Sequence, residues 1–172
     1  METGRQHRRH VGVVGAGEGA TAEQEEPARQ VARLLALSGA VVVTGGLGGV
    51  MAAAAGGCAE AGGTSLALLP GTDRAQAGAP HTLVVPTGLG ELRNGLLVRS
   101  SDALVAVGPS WGTLSEVALA VRTGVPVVLL GWGALADHLP TDPGLSAPRR
   151  AGTPEEAADL VRALLDAQTP RG

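Results

Sequence analysis

Apolar runs of Val and Leu alternate along the chain with Ala-rich segments of helical length, and most of these runs end in glycine. Strands that are apolar throughout, without alternating polar residues, are expected where helices cover both faces of a parallel sheet. Alternation of such strands with helices is typical of α/β proteins. We therefore predict an α/β protein with a three-layer, Rossmann-like fold, whose open and mostly parallel sheet has about six to seven strands.

The same pattern predicts the position of each element. Strands are expected at residues 10–17, 40–46, 64–71, 81–88, 103–108 and 126–132. Helices are expected at residues 22–38, 50–63, 90–101, 111–124 and from 153 onward. The apolar face of the first helix is predicted to consist of Val31, Leu34, Leu35 and Leu37. The segment 133–150 is expected to be mostly loop.

The length of the chain, 172 residues, suits one domain that buries most of its apolar surface without cross-links. The sequence contains no internal repeat and no second core pattern, so residues 10–168 are predicted to form a single domain. Residues 1–9 are predicted to form a disordered arm, because chain termini are commonly loose.

Composition excludes several classes of function. The chain contains no lysine, so it cannot hold pyridoxal phosphate as a Schiff base or supply the lysine of a P-loop. Its one cysteine, Cys58, excludes an intramolecular disulfide and a cysteine-cluster metal site. We predict neither a metal site nor a resident cofactor.

Charge and hydropathy limit the partners. The net charge of −3 and the lack of a basic face argue against nucleic acid. No run of about 18 apolar residues is present, which argues against a membrane span. The opening METGRQHRRH lacks the apolar region and cleavage site of a signal peptide. We expect a cytoplasmic protein that binds neither nucleic acid nor membrane.

The first glycine-rich strand end, Gly15-Ala16-Gly17-Glu18-Gly19-Ala20, matches the G-x-G-x-x-G/A dinucleotide fingerprint. That fingerprint also requires an acid about 20 residues later, at the end of the second strand, to hold the ribose. Here the second strand ends Val43-Thr44-Gly45-Gly46, so the acid is missing. The pattern therefore argues against an NAD-dependent oxidoreductase.

Two further strand ends are rich in glycine. Thr44-Gly45-Gly46-Leu47-Gly48-Gly49 precedes a helix, and tight strand–helix packing explains one or two of its glycines but not four. Gly108-Pro109-Ser110-Trp111-Gly112-Thr113 also leads into a helix, whose free N–H groups and dipole attract a phosphate. Glu116, one turn inside that helix, either stabilises the dipole or has a chemical role. Both readings of Glu116 remain open.

The segments TGGLGGVMAAAAGGCAEAGG, LRNGLLVRSSDALVAVG and WGTLSE together resemble the LOG (Lonely Guy) family of SLOG-type, Rossmann-like proteins. They occur in family order over roughly residues 10–132. The branch they resemble is the short bacterial one that includes molybdenum cofactor carrier proteins. LOG enzymes are phosphoribohydrolases, which split a nucleoside 5′-monophosphate into free base and ribose 5-phosphate. The resemblance implies that residues 10–168 are a LOG-like nucleotide-binding domain.

The resemblance also implies roles for individual residues. Arg93 and Glu116 match the two catalytic positions of the family. The predicted phosphate- and nucleotide-binding residues are Gly15, Gly17, Gly45, Gly46, Gly48, Gly49, Met51, Asn94, Ser110, Trp111, Gly112 and Thr113. Asn94 stands where the enzymes have lysine, as in the carrier-like branch. Pro109 and Ser110 replace two glycines of the family motif, and this removes one backbone N–H.

The predicted function is therefore binding of a phosphorylated, nucleotide-like small molecule, with hydrolysis of the N-glycosidic bond of a nucleoside 5′-monophosphate. In that reaction Glu116 would stabilise the oxocarbenium-like transition state or activate water, and Arg93 would assist the leaving base. The alternative is a non-catalytic protein that binds or carries a nucleotide or a pterin-type molybdenum cofactor. By analogy with LOG relatives, a homodimer or higher homo-oligomer is expected.

Overall fold

The computed structural model describes residues 7–168, which contain seven strands and five α-helices. The strands are β1 (His10–Gly15), β2 (Val41–Thr44), β3 (Thr64–Leu69), β4 (Leu83–Pro86), β5 (Ala103–Val107), β6 (Val127–Leu130) and β7 (Arg149–Ala151). The helices are α1 (Ala22–Leu37), α2 (Val50–Glu60), α3 (Arg93–Arg99), α4 (Trp111–Thr123) and α5 (Pro154–Asp166). Short 3-10 turns occur at Arg74–Gln76, Gly90–Leu92 and Gly133–His138.

The seven strands form one sheet in the order β4-β3-β2-β1-β5-β6-β7, and every neighbouring pair is parallel. Alternate strand residues point to opposite faces: Val13 packs among α1, α2 and α5, whereas Val14 packs among α3 and α4. Two apolar cores thus lie on the two sides of the sheet. The predicted single-domain, three-layer, Rossmann-like fold is confirmed.

Most element positions agree with the sequence-based expectation, with three differences. β7 lies in a segment that was expected to be mostly loop, because Arg149-Arg150-Ala151 carries a single buried apolar residue. The helix expected at 90–101 begins with a 3-10 turn and becomes α-helical only at Arg93. Leu37 was predicted to face the core, but it is 58% exposed at the end of α1.

The predicted disordered arm falls largely on residues 1–6, which lie outside the described residues. At residues 7–9, the Arg8 side chain contacts the domain: it donates to the Gly39 carbonyl at 3.0 Å and to Thr64 Oγ1 at 2.8 Å. The proposed boundary between arm and domain stays a prediction.

The strand order fixes where a ligand site is expected. The chain runs outward from β1 to β4 and then returns to the other side of β1 with β5, so the order reverses between β1 and β5. In open α/β sheets, ligands bind outside the carboxyl ends of the strands at such a switch point. Three turns meet that edge: the first turn (residues 15–20) after β1, the second turn (44–49) after β2, and the third turn (108–113) after β5.

Candidate functional site

The first turn lies directly against the start of α2. A β-carbon at Gly15 would lie 2.5 Å from Cγ1 of Val50, and one at Gly17 would lie 3.0 Å from Cε of Met51. Both glycines therefore let α2 approach β1 closely. The Met51 thioether fills the space between the first and second turns, and its buried position makes it a packing residue at the base of the site.

The second turn is joined to the first by backbone contacts. Val50 N donates to the Ala16 carbonyl at 3.0 Å. Gly49 has a positive φ of 59°, and a β-carbon there would lie 2.5 Å from the same carbonyl oxygen. Only glycine fits a positive φ with backbone this close. Gly49 is therefore required where the backbones of the first and second turns contact each other.

Packing also accounts for two more glycines of the second turn. A β-carbon at Gly45 would collide with the Arg93 guanidinium, and one at Gly46 would lie 2.7 Å from Cδ2 of Leu69. A β-carbon at Gly48 would meet no atom within 4 Å, so packing does not explain this glycine. Together with the glycine that joins the two turns, three of the four are explained by packing, more than the sequence analysis allowed. Of the second turn, Gly48 has the backbone best placed to approach a ligand.

Arg93 and Glu116 are two buried charges at the carboxyl edge of the sheet. Arg93, at the start of α3, is 7% exposed, and Glu116, in the first half of α4, is 6% exposed. The Arg93 Nε is buried without a hydrogen-bond partner. Among residues 7–168, no ion pair within 4.0 Å includes either side chain. A buried cation without a partner is costly, so this guanidinium is available to an anion.

The two groups nevertheless affect each other. Burial raises the pKa of Glu116 to about 7, and the nearby Arg93 charge opposes that rise. Burial also lowers the pKa of Arg93, and the Glu116 charge opposes that decrease. At neutral pH the carboxyl group is therefore divided between its neutral and ionised forms. A carboxyl group in this state can donate or accept a proton.

The third turn begins α4 with a side-chain cap. Ser110 Oγ accepts a hydrogen bond from Thr113 N at 3.1 Å, and the two hydroxyl oxygens are 2.7 Å apart. One of the two hydroxyl groups donates its proton to the other, so the second hydroxyl proton is free to form a hydrogen bond with a ligand. Thr113 is buried, which leaves Ser110 as the member nearer the solvent. The N–H groups of Trp111 and Gly112 start the helix without intrahelical acceptors.

The remaining predicted site residues lie on α3 and α4. Trp111 is 89% exposed at the start of α4, so its indole can cover a planar group. Asn94 is half-buried, and its Nδ2 donates to Ser115 Oγ at 3.3 Å, which joins α3 to α4. The side-chain amide of Asn94, which stands where the LOG enzymes have lysine, thus makes a hydrogen bond within the protein.

Gln24 and His81 also contact the turns, and neither was predicted from the sequence. Gln24 Oε1 accepts from Thr21 N at 3.1 Å, and the Thr-x-x-Gln spacing of a capping box was a legible signal for it. His81 Nε2 lies 2.8 Å from Thr44 Oγ1, which also accepts from Gly46 N at 3.0 Å. No local pattern connects two residues 37 positions apart, so the His81 contact was not predictable from the sequence.

His81 supports the second turn as a neutral imidazole. Its Nδ1 donates to the Ala79 carbonyl at 2.9 Å, so its Nε2 accepts from the Thr44 hydroxyl. Burial lowers the pKa of His81, and the hydrogen bond to Ala79 opposes that decrease. Gly78 N also donates to the Gly46 carbonyl at 2.8 Å. The loop before β4 thus holds the second turn at two points.

Two cavities lie beside α1 and α5. Their volumes are about 400 and 930 Å³, and Ser38 and Arg162 line both. None of the predicted site residues lines either one.

Within residues 7–168, no cluster of three or more His, Cys, Asp or Glu side chains could hold a metal ion. Over the same residues, no helix is long and apolar enough to cross a membrane.

Comparison with known proteins gives one family and several similar structures. The model of the SLOG cluster4 family matches residues 8–158. An uncharacterized protein of Archaeoglobus fulgidus is 41% identical over 120 residues, which cover 70% of this chain and 78% of that protein.

Two solved structures are similar over nearly their whole length. The molybdenum cofactor binding protein of Rippkaea orientalis is 35% identical with a TM-score of 0.87, covering 93% of this chain and 99% of that chain. The molybdenum cofactor carrier protein of Chlamydomonas reinhardtii is 37% identical with a TM-score of 0.81, with the same coverage of both chains.

Proposed function

Because the chain belongs to the SLOG cluster4 family, we propose that it binds a phosphorylated, nucleotide-like small molecule at the meeting point of the three turns. The molybdenum cofactor is the first candidate for that molecule. Two similar structures, each matched over 99% of its length, are of proteins described as binding or carrying this cofactor. This similarity supports the carrier alternative of the sequence analysis better than the hydrolase.

The observation that carries the proposal is the buried Arg93 guanidinium. It is 7% exposed and its Nε has no hydrogen-bond partner, although burying an unpaired charge costs several kcal/mol, of the order found for buried ions. A ligand bound at this point would supply the missing partner. The guanidinium carries a fixed positive charge and several donors, so the partner it fits is an anion or a polar heterocycle.

The phosphate of the ligand is proposed to lie between the second and third turns. The start of α4 supplies the N–H groups of Trp111 and Gly112, the helix dipole and the free hydroxyl proton of the Ser110–Thr113 pair. Gly48 supplies backbone without a side chain in the way. The exposed Trp111 indole is proposed to stack on the planar ring system of the ligand.

The second candidate function is hydrolysis of a nucleoside 5′-monophosphate, and one observation favours it. The pKa of Glu116 is raised to about 7, so this carboxyl group can change protonation state at neutral pH. Ionised, it would stabilise the oxocarbenium-like transition state or activate water, while Arg93 would orient or assist the leaving base. Hydrolysis stays a prediction of the sequence.

The test measures both functions on the full chain and on Arg93→Met, which keeps a long side chain but removes the charge. Protein made in cells that synthesise the molybdenum cofactor is analysed for co-purifying molybdenum by mass spectrometry. We expect the wild type to co-purify with molybdenum. Arg93→Met should contain at least about tenfold less molybdenum per protein, because a buried charged contact with the ligand is lost. Equal molybdenum in both proteins would contradict the assignment of Arg93.

The same two proteins are incubated with a panel of nucleoside 5′-monophosphates, and free base is measured by chromatography. Base release by the wild type that Arg93→Met lacks would establish the hydrolase. A wild type that retains no molybdenum, releases no base and binds no monophosphate would overturn the proposed function. The variant should fold, because replacing an unpaired buried charge with an apolar side chain of similar size is well tolerated.

We also propose that the chain forms a homodimer or higher homo-oligomer. Three helices cover one face of the sheet, whereas α3, α4 and the segment that contains Trp132, Ala136 and Leu139 cover the other. Four large apolar side chains are exposed on β4 and on the segment that leads into and forms α3: Leu83, Val85, Leu92 and Leu96. Light scattering after size exclusion gives the mass, and the proposal fails if the wild type elutes as a monomer at micromolar concentration.

A further inference from the structure

The side-chain amide of Gln24 is held in one orientation at the mouth of the first turn. Its Oε1 accepts a hydrogen bond from Thr21 N at 3.1 Å. A backbone N–H can only donate, so the oxygen of the amide faces Thr21 and the nitrogen faces away. Among residues 7–168, the Gln24 Nε2 makes no hydrogen bond.

The amide nitrogen lies against the third turn. A β-carbon at Gly108 would collide with Gln24 Nε2 and would lie 3.1 Å from its Cγ. Gly108 directly follows β5 with a positive φ of 65°, and its lack of a β-carbon leaves room for the amide. Gln24 therefore spans from the start of α1 to the end of β5. This is the point where the strand order reverses.

From these contacts we propose that Gln24 is a ligand-contacting residue that presents only hydrogen-bond donors and so selects an acceptor on the bound molecule. This inference rests on the proposed function, because it assumes that the ligand lies at the junction of the turns. The acceptors that fit are a phosphate oxygen or a carbonyl oxygen or ring nitrogen of the heterocycle. A group that can only donate would meet the Nε2 protons and be disfavoured.

The purely structural role of Gln24 is to cap α1, and two substitutions separate the roles. Gln24→Glu keeps an oxygen for Thr21 N, because Glu and Gln serve equally in a capping box, but it removes the donors. Gln24→Met also removes the donors, adds no charge and loses the cap. If Gln24 only caps the helix, Gln24→Met will bind the ligand as tightly as the wild type, because it adds no charge, and only its stability will fall.

The experiment measures AMP binding by isothermal titration calorimetry and thermal unfolding for the wild type, Gln24→Glu, Gln24→Met and Arg93→Met. We expect both Gln24 variants to bind AMP about tenfold more weakly or worse, as for the loss of a hydrogen bond to a charged group. Only Gln24→Met should also unfold at a lower temperature. Weak binding by both variants, with wild-type stability in Gln24→Glu, supports the inference.

Three results would overturn it, and they differ from one another. Wild-type affinity in both Gln24 variants, with binding lost in Arg93→Met, would leave the proposed function standing and remove Gln24 from the site. Weak binding in Gln24→Glu alone would mean that the added charge acts at a distance. A wild type that binds no AMP would overturn the inference together with a nucleotide-like ligand.

Discussion

Replacing Glu116 with Gln should stabilise the protein in a pH-dependent way. Burial raises the pKa of this carboxyl group from its ordinary value of 4.5 to about 7. The folded state therefore holds the proton more tightly than the unfolded state, and ionisation costs folding free energy. The cost is absent below pH 4.5, grows between pH 4.5 and about 7, and is complete above that range.

The size of the effect follows from the same two values. The span from 4.5 to about 7, at about 1.4 kcal/mol for each pH unit, corresponds to about 3 kcal/mol. Glutamine has the shape of the protonated acid and does not titrate. We therefore expect Glu116→Gln to match the wild type near pH 4.5 and to exceed its free energy of unfolding by about 3 kcal/mol at pH 8.

The assay is urea unfolding of both proteins at pH 4.5, 6 and 8. With a slope of about 1–3 kcal/mol per molar urea, the midpoint of the variant should lie about 1–3 M higher at pH 8. Glu18→Gln, which removes an exposed carboxyl group from the first turn, is the control for loss of one charge. A stability difference between Glu116→Gln and the wild type that is the same at all three pH values would refute the reasoning.

Three further predictions concern the ligand and the turns. If the protein hydrolyses a monophosphate, Glu116→Gln should retain binding and lose about 10²-fold in rate, and turnover that survives would exclude Glu116 as the acid–base group. A phosphate or sulfate in a crystal should lie against Gly112-Thr113 and the second turn, and an anion bound only at 133–150 would count against the site. His81→Ala should weaken phosphate binding and lower the free energy of unfolding by about 1–2 kcal/mol, measured by calorimetry and urea titration, because Thr44 loses its acceptor.

The fold was predictable because strands that are covered by helices on both faces of the sheet have an apolar residue at nearly every position. β5, Ala103–Val107, is buried at every position and contains no polar residue, so its sequence alone identifies a central strand. β7 was not predictable, because two of its three residues are exposed arginines and its pairing with β6 defines it. Leu37 was misassigned because helical spacing does not reveal where a helix passes the edge of the core.

The candidate site was predictable in part. Strand-end glycines located it, and the family motif identified Arg93 and Glu116. The sequence could not reveal that the two charges are buried without direct partners, since burial depends on how α3 and α4 pack. Nor could it reveal that the Arg93 guanidinium lies against Gly45, because that contact joins distant parts of the chain.

The reversal of strand order has a consequence for how the chain is made. β1 pairs with β5, and His10 N donates to an Asp102 carboxylate oxygen 92 residues later. At about 5–20 residues per second, a ribosome needs roughly 5–20 s to synthesise the intervening segment. During that time the nascent β1 has one unpaired edge, which is a template for aggregation.

The same separation means that the site is completed last. The first and second turns belong to the early half of the chain, whereas Arg93 and Glu116 arrive with the late half. A molecule that touches both halves binds only after they have joined, and it stabilises that join by mass action. Cells that lack this molecule should therefore contain less of the protein, because proteases will reach the unjoined halves more often.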